Sequence, residues 1–160
     1  MLSFFKKNNI EILSPCNGEL IDITEVEDPV FSQKMMGDGM AIIPSDGSVY
    51  APISGKIIMI APTKHAICIE TDQQVQLVVH FGIESVKTGG LGFEVVVKET
   101  QQVEAGVLLM NADVEYFKQQ NISIVSPIVI NSPNGYKIVN KTDVKQVLAR
   151  QTVLFEIKKG

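Results

Sequence analysis

Two histidines, His65 and His80, are the only imidazoles in a chain of 160 residues. At neutral pH an imidazole is largely uncharged and presents a nucleophilic nitrogen, while a second ring beside it can donate a hydrogen bond to an anion. A nucleophile paired with an anion clamp suits the handling of a small charged group held between two rings. The same two rings could take zinc only with further ligands, because a durable zinc site needs a third and usually a fourth. Glu84 is the one carboxylate close by, so zinc at His65 and His80 would require a ligand from a partner protein.

The rings can share a site only if the backbone brings them together. Ala66–Glu70 and Val75–Phe81 alternate in the manner of two strands, with Thr71-Asp72-Gln73-Gln74 between them. An antiparallel hairpin with a loop of two or four residues centred there places His65 opposite His80, with Cβ atoms about 4.5–5.5 Å apart. An odd loop length breaks that facing. In the second arm Val75, Leu77, Val79 and Phe81 share one face and Gln76, Val78 and His80 the other, which turns His80 away from the more apolar side. The same hairpin puts Cys68 on the face away from the histidines, as a buried structural thiol.

Short apolar runs closed by Pro, Gly, Asn or Asp recur along the chain: 19–23, 41–43, 56–60, 66–70, 75–81, 93–97, 122–125, 128–130, 136–139 and 152–157. Such spacing predicts an all-β antiparallel sandwich or barrel. Ser14-Pro15-Cys16-Asn17-Gly18 is echoed by Ala51-Pro52-Ile53-Ser54-Gly55, each a Pro-x-x-Gly turn leading into an alternating run. Helix is confined to one or two short pieces. Asp28-Pro29 opens the first, which runs through Met36 to a stop at Gly37, and Asp113–Gln119 makes the second. Residues 1–11 read as a loose tail and 12–160 as a single domain.

A net charge of −4 and a pI of about 5.2 leave no basic stripe for nucleic acid. Cys16 and Cys68 have no metal-ligand spacing and suit a reducing compartment, so the expected location is cytoplasmic. No apolar run approaches the ~18 residues that span a bilayer. The tail residues Leu2, Phe4, Phe5, Lys6 and Lys7 allow at most a weak peripheral contact with anionic lipid. Gly37-Asp38-Gly39 lacks the Lys-Ser/Thr ending of a nucleotide loop, and no cofactor is called for.

Three segments together resemble the glucose-type IIA component of the bacterial sugar phosphotransferase system. They are Thr63-Lys64-His65-Ala66, Val79-His80-Phe81-Gly82-Ile83-Glu84, and Asp28-Pro29-Val30-Phe31 followed by Gly37-Asp38-Gly39-Met40. The resemblance implies that His80 accepts a phosphoryl group from the phosphocarrier HPr as a phosphohistidine, that His65 hydrogen-bonds the phosphate, and that Thr63 orients His65. It further implies a IIB cysteine of a membrane sugar permease as acceptor. Phe31, Val30, Met35, Met36, Val78 and Glu84 then become an adaptable rim for docking either protein. The sequence departs from the family where Ala61 and Val78 stand at positions often held by phenylalanine, and Glu84 stands where aspartate is usual. Two other functions compete: a regulatory module whose docking is switched by phosphorylation of His80, and a zinc hydrolase, for which further His or Asp ligands are not in sight.

Overall fold

The computed structural model describes residues 9–132 and 134–160. The described strands, in chain order, are β1 (Ile10–Leu13), β2 (Gly18–Asp22), β3 (Asp38–Pro44), β4 (Ser48–Tyr50), β5 (Gly55–Ile60), β6 (Ala66–Glu70) and β7 (Gln76–His80), then β8 (Phe93–Val95), β9 (Gln102–Val103), β10 (Leu108–Ala112), β11 (Ser126–Ser132), β12 (Tyr136–Val139), β13 (Gln146–Val147) and β14 (Val153–Lys159). Two short helices, α1 (Pro29–Ser32) and α2 (Val114–Gln119), complete the elements that matter here. Eight strands form one sheet in the order β13-β2-β3-β11-β7-β6-β5-β9, and two three-stranded sheets, β1-β14-β12 and β4-β10-β8, accompany it. The pairings are antiparallel, as the strand-rich sequence predicts.

Alternation sorts the longer strands of the large sheet between two apolar clusters. Val75, Leu77, Val79 and Phe81 join the larger cluster with Leu109, Met110, Phe155 and Ile157 from the small sheets. Val78, Ala66 and Cys68 belong to a second cluster with Phe31, Ala41, Ala61 and Val129. His80 ends β7, an interior strand of the sheet, on the side of this smaller cluster.

The two Pro-x-x-Gly turns are structural equivalents. Leu13 N–H donates to Pro52 O at 2.9 Å and Tyr50 N–H to Pro15 O at 2.8 Å, so the residue two before each proline binds the other proline's carbonyl. Asn17 Oδ1 accepts from Ala149 N–H at 2.7 Å, and Ser54 Oγ accepts from Ala105 N–H at 2.8 Å. The polar residue two after each proline thus captures a chain returning from β13 or β9. The echo therefore extends to Gln102-Val103 and Gln146-Val147, a second repeat that two-residue strands leave without a visible period.

Several expectations are corrected. Ile10 and Glu11, assigned to the tail, pair with Ile157 and Glu156; residues 1–8 of that tail lie outside the described residues. The run 122–125 forms no strand and contributes one bridge, Ser123 to Ile83. Helix α1 stops at Ser32 instead of running to Met36. Lys34 adopts the left-handed conformation (φ 59), with Lys34 N–H bonding Phe31 O and Met35 N–H bonding Val30 O. This is a Schellman closure with lysine in the position usually held by glycine. The start of α1 is as expected, since the Asp28 carboxylate accepts from Val30 N–H at 2.9 Å and Pro29 occupies the first turn.

Candidate functional site

The hairpin carrying the histidines closes one residue away from the expected register. Ala66, not His65, pairs with His80, and Cys68 pairs with Val78. The turn explains the shift. Thr71 N–H bonds Val75 O, leaving Asp72-Gln73-Gln74 as a three-residue loop with Gln74 in the left-handed region (φ 63). Continued as a strand, His65 would face Phe81, whose N–H it binds through its carbonyl at 2.8 Å. Strand β6 begins only at Ala66, however, and Lys64 is left-handed (φ 65). The His65 ring therefore lies against His80, with centroids 4.7 Å apart and planes at 72°. The pair forms by a loop, not by cross-strand facing. Cys68 is corrected with it, because it lies on the His80 face, and it is buried as expected.

Each ring has one nitrogen spoken for. His80 Nδ1 lies 2.9 Å from the Gly82 carbonyl oxygen. A carbonyl can only accept, so Nδ1 carries the proton and Nε2 keeps its lone pair. His65 Nδ1 lies 2.6 Å from Thr63 Oγ1. Gly82 was not apparent from the sequence as a site residue; its signal was its place two residues after His80, where φ 78 turns its carbonyl back toward the ring.

Phe31 packs edge-on against His80, with centroids 5.0 Å apart. The docking rim is corrected here: Phe31 and Val78 are each only 3% exposed and support the imidazole from the smaller core, so neither offers a surface to a partner. Val30 and Met35 are exposed, Met36 is half-buried against the smaller cluster, and Glu84 is exposed and paired with Lys87 at 3.4 Å. Val86 and Leu91 add exposed apolar surface that no sequence pattern marks. Leu91 follows Gly90, which lies near the Thr63 carbonyl and the Lys64 side chain, and an isolated leucine among three glycines is the available signal.

Burial pushes the His80 imidazole down to about 4, with nearby His65 adding to the effect and Gly82 and Asp28 opposing it. His65 is lowered as well, by burial. Both rings are thus uncharged at neutral pH. In the unfolded chain His80 takes up its proton near pH 6.5, before the folded chain does. Stability is accordingly flat above that value and falls between about pH 6.5 and 4, by an amount of order 2–3 kcal/mol. Urea midpoints followed from pH 7 to 5 should decline in the parent and decline much less in His80→Gln. Asp22 and Asp38, whose carboxyls are held below the ordinary range, act only at lower pH.

No cluster of three or more His, Cys, Asp or Glu among the described residues is placed to hold a metal. Cys16 and Cys68 are free and buried, their thiols raised to about 12 and about 11 by burial. No described helix is long and apolar enough to cross a membrane.

Residues 10–136 match the family model of the phosphoenolpyruvate-dependent sugar phosphotransferase system, EIIA 1. The chain belongs to this EIIA family. A glucose-specific EIIA component from Halalkalibacterium halodurans is 42% identical over 147 residues, covering 92% of this chain and 85% of the relative. A glucose-specific EIICBA component from Staphylococcus carnosus is 44% identical over 137 residues, covering 84% of this chain but 20% of the relative. The chain thus spans about a fifth of the length of its EIICBA relatives. The glucose permease IIA of Mycoplasma capricolum superimposes with a TM-score of 0.87 at 37% identity, over 96% of this chain and 97% of that one. Both histidines, His65 and His80, lie within the matched segment.

Proposed function

We propose that this EIIA chain carries a phosphoryl group on His80 Nε2, taking it from phosphorylated HPr and passing it to a IIB cysteine of a sugar permease. The observation that carries the reading is the Gly82 carbonyl on Nδ1, which leaves Nε2 as the nucleophilic nitrogen beside a second imidazole. As the new P–Nε2 bond forms, the donor's P–N bond breaks. The His80 ring gains positive character and keeps its Nδ1 proton on the Gly82 carbonyl. With Thr63 donating to His65 Nδ1, the His65 proton lies on Nε2, free to bind a phosphoryl oxygen. Transfer of this kind rests on positioning and charge, for which two rings and a carbonyl are adequate.

The exposed apolar residues Val30, Met35, Val86 and Leu91 supply a surface on which HPr and IIB can dock in turn. Relatives bear both glucose-specific and glucoside-specific names, which supports a carrier that leaves the choice of sugar to the downstream component. Free, unreactive thiols suit the cytoplasm, where HPr would meet this site. Family membership favours this carrier role over a module that only docks.

Incubation with phosphoenolpyruvate, enzyme I and HPr tests the reading. One acid-labile phosphoryl group per chain is expected, retained at high pH and lost in acid. A parent protein that stays unlabelled with HPr from its own source refutes it.

A further inference from the structure

The described residues bury four polar side chains almost completely: Ser14, Thr71, Ser85 and Ser126. Ser14 and Thr71 serve the turns they sit in. Ser85 and Ser126, each 0% exposed, converge instead on one peptide unit. Ser85 Oγ donates to the Phe81 carbonyl, and Ser126 Oγ accepts the Gly82 N–H at 3.3 Å. The hydroxyl proton of Ser126 is committed to Ile124 O at 2.9 Å, which leaves a lone pair for that N–H. The peptide between Phe81 and Gly82 is thus held at both its oxygen and its nitrogen.

The next peptide is held the same way. Ile83 N–H donates to Ser123 O at 3.0 Å, while Gly82 O receives the His80 proton. Gly82 lies between the two planes at φ 78, and a Cβ there would come within 2.8 Å of Ser123 O. Its carbonyl direction is consequently set by the two planes that flank it. The Ser126 hydroxyl lies 3.3 Å from the N–H it receives, and both residues are shielded from bulk solvent.

We propose that Ser85 and Ser126 are positioning residues for phosphoryl acceptance: by pinning the Phe81–Gly82 peptide they aim the Gly82 carbonyl at His80 Nδ1 and hold the ring as the Nδ1–H tautomer. They touch neither phosphate nor partner. The inference rests on His80 being the acceptor, but its structural half does not, because the tautomer can be read without any phosphate.

The test joins nitrogen-15 NMR of the His80 ring to the rate of acceptance from phosphorylated HPr. The parent should show protonated Nδ1 and bare Nε2. In Ser126→Ala and Ser85→Ala the opposite tautomer should appear and the rate should fall about tenfold or more, with Ser126→Thr restoring both. Ser126→Cys keeps the size while weakening the bond, and gives an intermediate tautomer ratio if the alanine forms fail to fold. A folded alanine variant with pure Nδ1–H and an unchanged rate overturns the proposal, as does a tautomer change without loss of rate. A parent that never accepts phosphate, yet whose tautomer shifts in the serine variants, overturns the carrier reading and leaves the aiming of the ring intact.

Discussion

His80→Ala is expected to incorporate no phosphoryl group from HPr while folding as the parent does. The loss should exceed the sensitivity of the assay, about 10³-fold, because no other nucleophile among the described residues is at hand: Cys68 is buried with its thiol raised to about 11, and His65 has Nδ1 engaged by Thr63. Folding should survive because the ring is half-buried at the end of β7 and its hydrogen bond is to an adjacent turn. Removal also relieves a cost, since a neutral imidazole held against protonation destabilises the folded chain below pH 6.5. Mass spectrometry of intact protein after incubation with phosphoenolpyruvate, enzyme I and HPr reads the result. Label on His80→Ala equal to the parent's moves the acceptor to another residue.

Sequence pattern identifies the two histidines, the face of β7 from which His80 projects, and the Asp28-Pro29 start of α1. Alternation over 75–81 is a property of the strand alone, and capping is a property of four neighbouring residues, so both are local. The way the rings meet is not. It depends on whether the turn after Glu70 contains three residues or four, and Thr71 and Val75 decide that by pairing with each other. It depends also on Lys64 and Gly82 adopting left-handed backbone on either side of the site. Nothing in the residue type of Lys64 announces this; the closure from Lys64 N–H to Ala61 O and from Ala61 N–H to Ala66 O imposes it. The place of Phe31 and Val78 is not legible in the sequence for a related reason. An apolar residue beside a polar site can form a rim or a floor, and only the second cluster under the large sheet shows that these two are floor. Strands β9 and β13 escaped because two residues carry no period, and their role emerges only through Ser54 and Asn17.

His65→Gln is expected to separate acceptance from delivery: labelling by HPr should continue within a few-fold of the parent, while transfer onward to a IIB cysteine falls by 10²-fold or more. In the proposed acceptance step the attacking atom would be His80 Nε2, which is uncharged and takes its geometry from Gly82, left alone by the substitution. In the proposed delivery step a thiolate would approach a phosphoryl group that already carries negative charge, and repulsion would have to be offset locally. His65 can do so in a way glutamine cannot. Burial lowers its proton affinity in the free protein, but a phosphoryl group at contact distance opposes that shift and favours the imidazolium. One well-placed donor to developing charge accounts for about 10²–10³ in rate, and a charged donor lies at the upper end. Thr63→Val should follow in the same direction with a smaller loss, because it frees His65 Nδ1 without removing the ring. Single-turnover transfer from isolated phosphoprotein to a IIB domain measures the second step alone. Equal loss in both steps would instead make His65 a support for the His80 ring in either direction, and would remove the charge argument.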